Sequence, residues 1–224
     1  MNDADHRAPP DADDRRSAIG EQWDERYRSA PRVFRAEPDE TLVELVGPLR
    51  PGSAVDLGAG EGRNAIWLAA RGWAVLAVDA SAVALERLAE TATADDLAVE
   101  GRHEELMTYL EAARGRGESF DLVVLAFVHP EPGDRGTLLS GAAGVVAPGG
   151  HLFVIGHHLA SFGVVGPPDP GRLYTEEELE AHVDGLEVLS VEQRRGTTDV
   201  EVAGTDVWLW ASRPDETPFG RHPL

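Results

Sequence analysis

Residues Ser53 to Ser81 read SAVDLGAGEGRNAIWLAARGWAVLAVDAS, and this stretch decides the fold. A short apolar run, Ala54 to Leu57, ends in a glycine-rich turn, Gly58-Ala59-Gly60-Glu61-Gly62. An amphipathic helical pattern follows over Arg63–Ala70, and a second apolar run, Ala74–Val78, ends in Asp79. The order is strand, tight turn, helix, strand, with a carboxylate at the tip of the second strand. Glycine lacks Cβ, so its backbone lets a ligand come close, and a helix start presents unpaired N–H groups. An acid about twenty residues past the turn is placed to accept both hydroxyls of a ribose. Such a unit holds a nucleoside-bearing cofactor.

The dinucleotide fingerprint is G-x-G-x-x-G. Here the third glycine comes one residue early, at Gly62, and Arg63 stands in the dinucleotide position. The pattern is Asp-x-Gly-x-Gly-x-Gly from Asp56 to Gly62. Asp56 before the turn and Glu61 within it disfavour a doubly charged pyrophosphate. They suit a ligand with a cationic ammonium or sulfonium, and S-adenosylmethionine has both, with a ribose for Asp79.

These residues resemble a class I SAM-dependent methyltransferase, with Asp56 to Gly62 as its first motif and Asp79 as its ribose acid. Gly62-Arg63-Asn64-Ala65, Trp67-Leu68-Ala69, Gly72 and the upstream Trp23-Asp24-Glu25-Arg26-Tyr27 are similar to the tellurite-resistance and thiopurine S-methyltransferase branch. The resemblance runs over roughly Trp23 to Pro214. It implies a Rossmann-like α/β fold: a doubly wound, seven-stranded, mostly parallel sheet with an antiparallel last strand, in three α/β/α layers. It implies methyl transfer from S-adenosyl-L-methionine, leaving S-adenosyl-L-homocysteine, to a small-molecule acceptor, with a thiol or chalcogen oxyanion favoured. A small-molecule O- or N-methyltransferase and a non-catalytic SAM-binding protein share the same motifs. A NAD-linked oxidoreductase is disfavoured by Arg63.

The chain has 224 residues, enough for one α/β domain with a sizeable core. It has no cysteine, so a disulfide scaffold, a cysteine nucleophile and thiolate metal sites are excluded. It has no lysine; all 20 basic residues are arginine. The formal net charge of −20 repels a phosphate backbone, which argues against nucleic acid as a partner. No apolar run is long enough to span a membrane, and no signal-peptide core follows the polar N-terminus. The expectation is a cytoplasmic enzyme, monomer or homodimer, with no membrane partner.

Residues 1–16 are polar, charged and proline-bearing, and are expected to form a disordered acidic tail. Residues 17–214 are expected to form a single domain: an N-terminal helical lid over 17–50, then a Rossmann-like core over 51–214. Residues 215–224 form a second tail. Strands are expected at Ala54–Leu57, Ala74–Val78, Leu97–Val99, Phe120–Phe127 and His151–Ile155. Helices are expected at Arg63–Ala70, Ala82–Thr91, Glu104–Ala113, Arg135–Val146 and Glu176–Val183. Leu186–Gln193 and Val200–Ser212 read as an antiparallel pair turning near Gly196. Alternating strands and helices imply a parallel sheet with right-handed crossovers.

Ligands in such sheets sit outside the carboxyl ends of the strands. That rule, with the resemblance, assigns the cofactor to Asp56, Gly58, Ala59, Gly60, Arg63, Asn64, Asp79, Ala80, Ala126 and Phe127. Asp56 faces the ammonium, or orders the turn by accepting backbone N–H bonds. Asp79 takes the ribose; Ser81 already fits the role of N-cap for the next helix. The family places an acid after the third strand to accept the adenine amine, and Glu104 and Glu105 are both candidates. An acidic first helical turn explains the same pair. His129, at the fourth strand's tip, is a candidate base or a plain loop histidine. His157 and His158 follow the fifth strand, and alternation lets at most one of them face the site; His157 is the catalytic candidate. Trp23 and Tyr27 share a helix face and either pack on the sheet or cover the cofactor. Arg172 and Tyr174 lie where the family shapes its acceptor pocket, and Arg172 there would suit an anionic acceptor. No ligand set with metal-binding spacing is evident.

Overall fold

The structure, a computed structural model, describes residues 12–195 and 204–215. Seven strands form one sheet: β1 (Ser53–Leu57), β2 (Ala74–Asp79), β3 (Val99–His103), β4 (Phe120–Ala126), β5 (Val146–His157), β6 (Glu187–Arg195) and β7 (Thr205–Ser212). Their order is β3-β2-β1-β4-β5-β7-β6. β1 through β5 pair in parallel, and β7 runs antiparallel between β5 and β6. This is the seven-stranded, mostly parallel sheet with one reversed strand that the alternation implies. The expected turn near Gly196 lies outside the described residues, as do residues 1–11 and 216–224.

Successive side chains on a strand point to opposite faces, so each strand feeds two cores. Val55, Leu57, Val123, Leu125, Leu152 and Val154 pack under α5 (Leu106–Arg116), α6 (Arg135–Gly144) and α7 (Glu176–Glu180). Ala54, Leu122, Val124, Phe153 and Ile155 pack under α2 (Glu40–Val46), α3 (Arg63–Ala70) and α4 (Ala82–Ala94). Asp56 therefore falls on the α2–α4 face. The chain switches sides between β1 and β4, which puts the crevice for a ligand at their carboxyl ends.

Three expectations shift. The N-terminal helix α1 is Ala12–Arg28, so the segment expected to be disordered up to Arg16 is helical from residue 12. Ala12–Arg16 contains no proline or glycine to break a helix. β3 is Val99–His103 instead of Leu97–Val99. It is the sheet's edge, and its middle residues are exposed, so no apolar run marks it. α5 starts at Leu106 because Glu105 is its N-cap, accepting from the Thr108 amide at 3.0 Å.

Candidate active site

The turn after β1 carries three left-handed glycines: Gly58 (φ 75°), Gly60 (φ 55°) and Gly62 (φ 87°). Each also lies against a neighbour that leaves no room for a side chain. A Cβ on Gly58 would stand 2.4 Å from Val128 Cγ2, one on Gly60 2.6 Å from the Tyr27 hydroxyl, and one on Gly62 2.6 Å from Leu88 Cγ. Gly58 and Ala59 donate to the Val78 carbonyl at 2.8 and 3.1 Å, which draws the turn over the end of β2.

Asp79 closes that end. Its Oδ2 accepts from the Gly60 amide and its Oδ1 from the Ser81 amide, each at 2.8 Å. Burial raises its pKa, and these two bonds oppose the rise. One lone pair remains on each oxygen, as a pair of ribose hydroxyls requires. Ser81 caps α4 through Ala84 N at 3.1 Å, as the sequence indicates.

Asp56 is 1% exposed, and its Oδ2 has no hydrogen-bond partner among the described residues. Burial pushes its pKa up to about 7; Arg63 pulls it down, Asp79 pushes it up, and an Ala65 amide bond pulls it down. A buried carboxylate oxygen without a partner is costly, and a cationic group in the crevice would satisfy it. Arg63 caps the other side. Its guanidinium lies 5.0 Å above the Phe127 ring, and no hydrogen bond or ion pair engages it among the described residues. Phe127 itself has φ 58°, a strained backbone for a bulky residue, at the tip of β4.

Several residues assigned to ligands are already spoken for. The Asn64 side chain accepts the Asp39 amide at 3.0 Å and so ties α2 to α3. Glu61 accepts from the amides of Val33 (3.0 Å) and Phe34 (3.4 Å) and pairs with Arg87 at 2.8 Å. Glu61 therefore fastens the Val33–Phe34 segment, and burial, which would raise its pKa, is outweighed by those partners. The Ala80 carbonyl accepts from His103 Nε2 at 3.0 Å and faces Gly20 of α1. Glu105 is the helix cap; the Glu104 amide bonds the Asp79 carbonyl at 3.0 Å, and no hydrogen bond reaches the Glu104 carboxylate among the described residues. Ala126 ends β4.

The N-terminal segment lies on the turn. Tyr27 is buried against Gly60, and its ring, Trp23 and Phe34 form a cluster with centroids 5.9 to 6.4 Å apart. Trp23 is 38% exposed, so of the pair only Tyr27 is covered. Asp24, in the upstream motif, has a role that the sequence reading missed. It accepts from the Ser81 hydroxyl (2.6 Å) and the Val83 amide (3.2 Å), fastening α1 to the start of α4. Arg87 completes the clasp on the Tyr27 carbonyl at 2.7 Å.

The two catalytic candidates separate. His129 has both ring nitrogens engaged by backbone: Nδ1 lies 3.0 Å from the Arg172 carbonyl, and the His157 amide donates to Nε2 at 3.3 Å. An accepting Nε2 fixes the Nδ1–H tautomer. Burial drives its pKa down to about 4, so the ring is neutral and braces the backbone on both sides. The Arg172 guanidinium holds the His129 carbonyl from Nε at 3.0 Å and reaches Glu131 at 3.5 Å. Tyr174 is fully buried, donates to the Val128 carbonyl at 2.7 Å and packs on Gly156, so it supports the β4 tip from behind.

His157 keeps one nitrogen clear. Its Nδ1 lies 2.9 Å from Asp206 Oδ1, its ring stacks on His129 at 5.2 Å, and Phe127 lies 5.0 Å away. Its side chain is 19% exposed. His158 turns to the opposite face, toward Glu176 at 3.1 Å, as alternation along a strand requires. No group of three or more His, Cys, Asp or Glu that could hold a metal ion occurs among the described residues, and no helix among them is long and apolar enough to cross a membrane.

Residues 54–150 match the family model described as a methyltransferase domain. The fold is similar to TehB from Haemophilus influenzae, with a TM-score of 0.66 and 19% identity over 79% of this chain and 62% of that one. It is similar to the N-methyltransferase NodS from Bradyrhizobium japonicum WM9, with a TM-score of 0.62 and 16% identity over 78% of this chain and 93% of that one. It is also similar to magnesium protoporphyrin IX methyltransferase (ChlM) from Synechocystis PCC 6803 with bound SAH, with a TM-score of 0.58 and 18% identity over 92% and 89%. The chain thus spans 62% of the length of TehB. A search of the curated proteins returned no match.

Proposed function

We propose that this protein is an S-adenosylmethionine-dependent methyltransferase acting on a small molecule. The observation that carries the reading is the unpartnered, buried Oδ2 of Asp56, near the end of β1 just before the glycine turn. An ammonium group satisfies it, whereas a pyrophosphate would be repelled. The donor set around it fits the rest of the cofactor. Asp79 keeps a lone pair on each oxygen for the ribose. Arg63 is the cation available to the carboxylate, and Glu104 is the acid available to the adenine amine. The methyltransferase-domain match over residues 54–150 supports the same reading.

When bound, the cofactor supplies a methyl group on a cationic sulfur. The chain's own part is placement. Aligned reactants gain effective molarities of about 10⁵–10⁸ M, and the lid, clasped by Asp24, Glu61 and Arg87, keeps water from the turn. Phe127 offers an uncharged wall at the β4 tip. The motif resemblance to the tellurite-resistance and thiopurine branch favours a thiol or chalcogen oxyanion as acceptor, with oxygen and nitrogen acceptors as the alternative. The net charge of −20 favours a small acceptor over nucleic acid.

Calorimetry with S-adenosylhomocysteine tests the reading. The wild-type chain should bind it. Asp79→Ala removes charge-assisted hydrogen bonds worth roughly 1.5–3 kcal/mol each and should weaken binding by more than about tenfold. Absence of binding to the folded wild-type chain would overturn the assignment.

A further inference from the structure

Three polar side chains stand in one row across the reversed part of the sheet. His157 on β5 is the register partner of Asp206 on β7, and Arg194 on β6 is the partner of the same Asp206. Directly opposed residues in adjacent strands share a face, so the row is built into the pairing and not into loop geometry. Asp206 is buried; its Oδ1 lies 2.9 Å from His157 Nδ1, and its Oδ2 lies 4.0 Å from Arg194 Nε. Arg194 in turn holds Asp39 and Thr41 at the start of α2, so the row is anchored to the lid.

We propose that Asp206 positions His157 as the general base of the reaction, with Nε2 as the atom that accepts the acceptor's proton. The inference rests on the methyltransferase reading and narrows its substrate class to an acceptor that arrives protonated, a thiol or hydroxyl. A carboxylate that accepts Nδ1–H leaves Nε2 as the free acceptor, which fixes the tautomer without consuming the base. The other groups facing the ring are the neutral His129, held by backbone on both nitrogens, and Phe127, whose ring also meets Arg63. The loop at Gly166 closes on the ring edge, where an added Cβ would stand 2.8 Å from His157 Cδ2. His157 is thus the one imidazole at the β4–β5 tips with a nitrogen left for a substrate. In the step, the acceptor's X–H bond gives its proton to Nε2 as the new X–CH₃ bond forms. The S–CH₃ electron pair stays on sulfur, and the imidazolium later loses the proton to water.

The test has two readouts on the full chain. Nitrogen-15 NMR with bound S-adenosylhomocysteine should show His157 as the Nδ1–H tautomer. Asp206→Asn should mix the tautomers, and Asp206→Glu should restore them; a wild-type Nε2–H tautomer overturns the proposal. Methyl transfer is then measured with two thiol probes, benzyl mercaptan, mostly protonated at neutral pH, and 4-nitrothiophenol, already ionised. His157→Asn keeps a donor toward Asp206 and removes the base. It and Asp206→Asn should each lower the benzyl mercaptan rate on the order of 10²-fold, and the nitrothiophenol rate by at least about tenfold less. Equal losses on the two probes, or no wild-type turnover of either, overturn the proposal. Homocysteine-nucleoside binding separates this failure from the other: lost binding by wild type sinks the cofactor reading, whereas retained binding with the wrong tautomer or equal losses sinks only the role of the row. Should Asp206→Asn fail to fold, His157→Asn carries the kinetic arm alone.

Discussion

Acidification should weaken cofactor binding mainly through Asp56. Its carboxyl is wholly buried, and burial raises its pKa to about 7 in the ligand-free chain. The ligand's ammonium needs the carboxylate form. An opposite charge at contact lowers a carboxyl pKa by roughly 1–3 units, so the bound chain holds Asp56 ionised well below neutrality. Between about pH 7.5 and pH 5.5 the free chain therefore takes up a proton that binding must expel. With a free pKa of about 7, the linkage costs close to 20-fold in affinity, or roughly 1.8 kcal/mol. Calorimetric titration of S-adenosylhomocysteine across that range reads the loss directly, and buffers of different ionisation enthalpy count the released proton. Asp79, also raised by burial, pushes in the same direction, so the control is Asp56→Asn, which leaves Asp79 in place and should flatten most of the slope. An affinity independent of pH in the wild-type chain, with no proton released, refutes the pairing of Asp56 with a cation.

Two further changes probe the frame. His129 titrates in the unfolded chain near 6.5 but only at about 4 when folded, so the unfolded state binds the extra proton and stability drops as pH falls from 6.5 toward 4. His129→Gln should shrink the stability difference between about pH 7 and pH 5 by roughly 2 kcal/mol in urea unfolding; an unchanged difference contradicts a buried neutral ring. Gly62→Ala puts a methyl 2.6 Å from Leu88 Cγ at φ 87°, and left-handed strain plus overpacking should cost about 2–5 kcal/mol in thermal unfolding. A loss below about 1 kcal/mol means that α3 and α4 can separate at no cost.

Whatever depends on local backbone was legible in the sequence. The left-handed turn, the Ser81 cap and the strand that carries Asp79 follow from glycine and residue spacing, and the structure has them where the pattern puts them. The divergence of His157 and His158 follows from the two-residue period of a strand and is seen as two partners on two faces. The edge strand β3 was misplaced because it carries Glu100, Gly101, Arg102 and His103 in place of an apolar run. The roles of Asn64, Glu61 and Asp24 were missed for another reason. Each is decided by a partner 25 or more positions away: Asp39 for Asn64, Val33 and Arg87 for Glu61, Ser81 for Asp24. The only available signal was the clustering of these residues in the two segments that resemble the family, and that signal does not distinguish a contact with ligand from a contact with lid.

The same distinction decides the chemistry at the strand tips. His129, Arg172 and Tyr174 are residue types that could serve an acceptor, but polar atoms of all three are consumed by backbone around the β4–β5 crossover. That expense has a purpose. Phe127 holds a left-handed conformation that costs of order 1–3 kcal/mol, and such strain persists only where its surroundings over-determine it. The Ile155 carbonyl accepts the Phe127 amide at 2.7 Å, the Tyr174 hydroxyl holds the next carbonyl, and Arg172 holds the one after. Three successive residues at the tip of β4 are thus clamped by their own backbone. The clamp holds the Phe127 ring 5.0 Å from the His157 ring and 5.0 Å from the Arg63 guanidinium. A rigid apolar ring next to both a cation and an imidazole suits a reaction in which positive charge leaves sulfur while a proton leaves the acceptor.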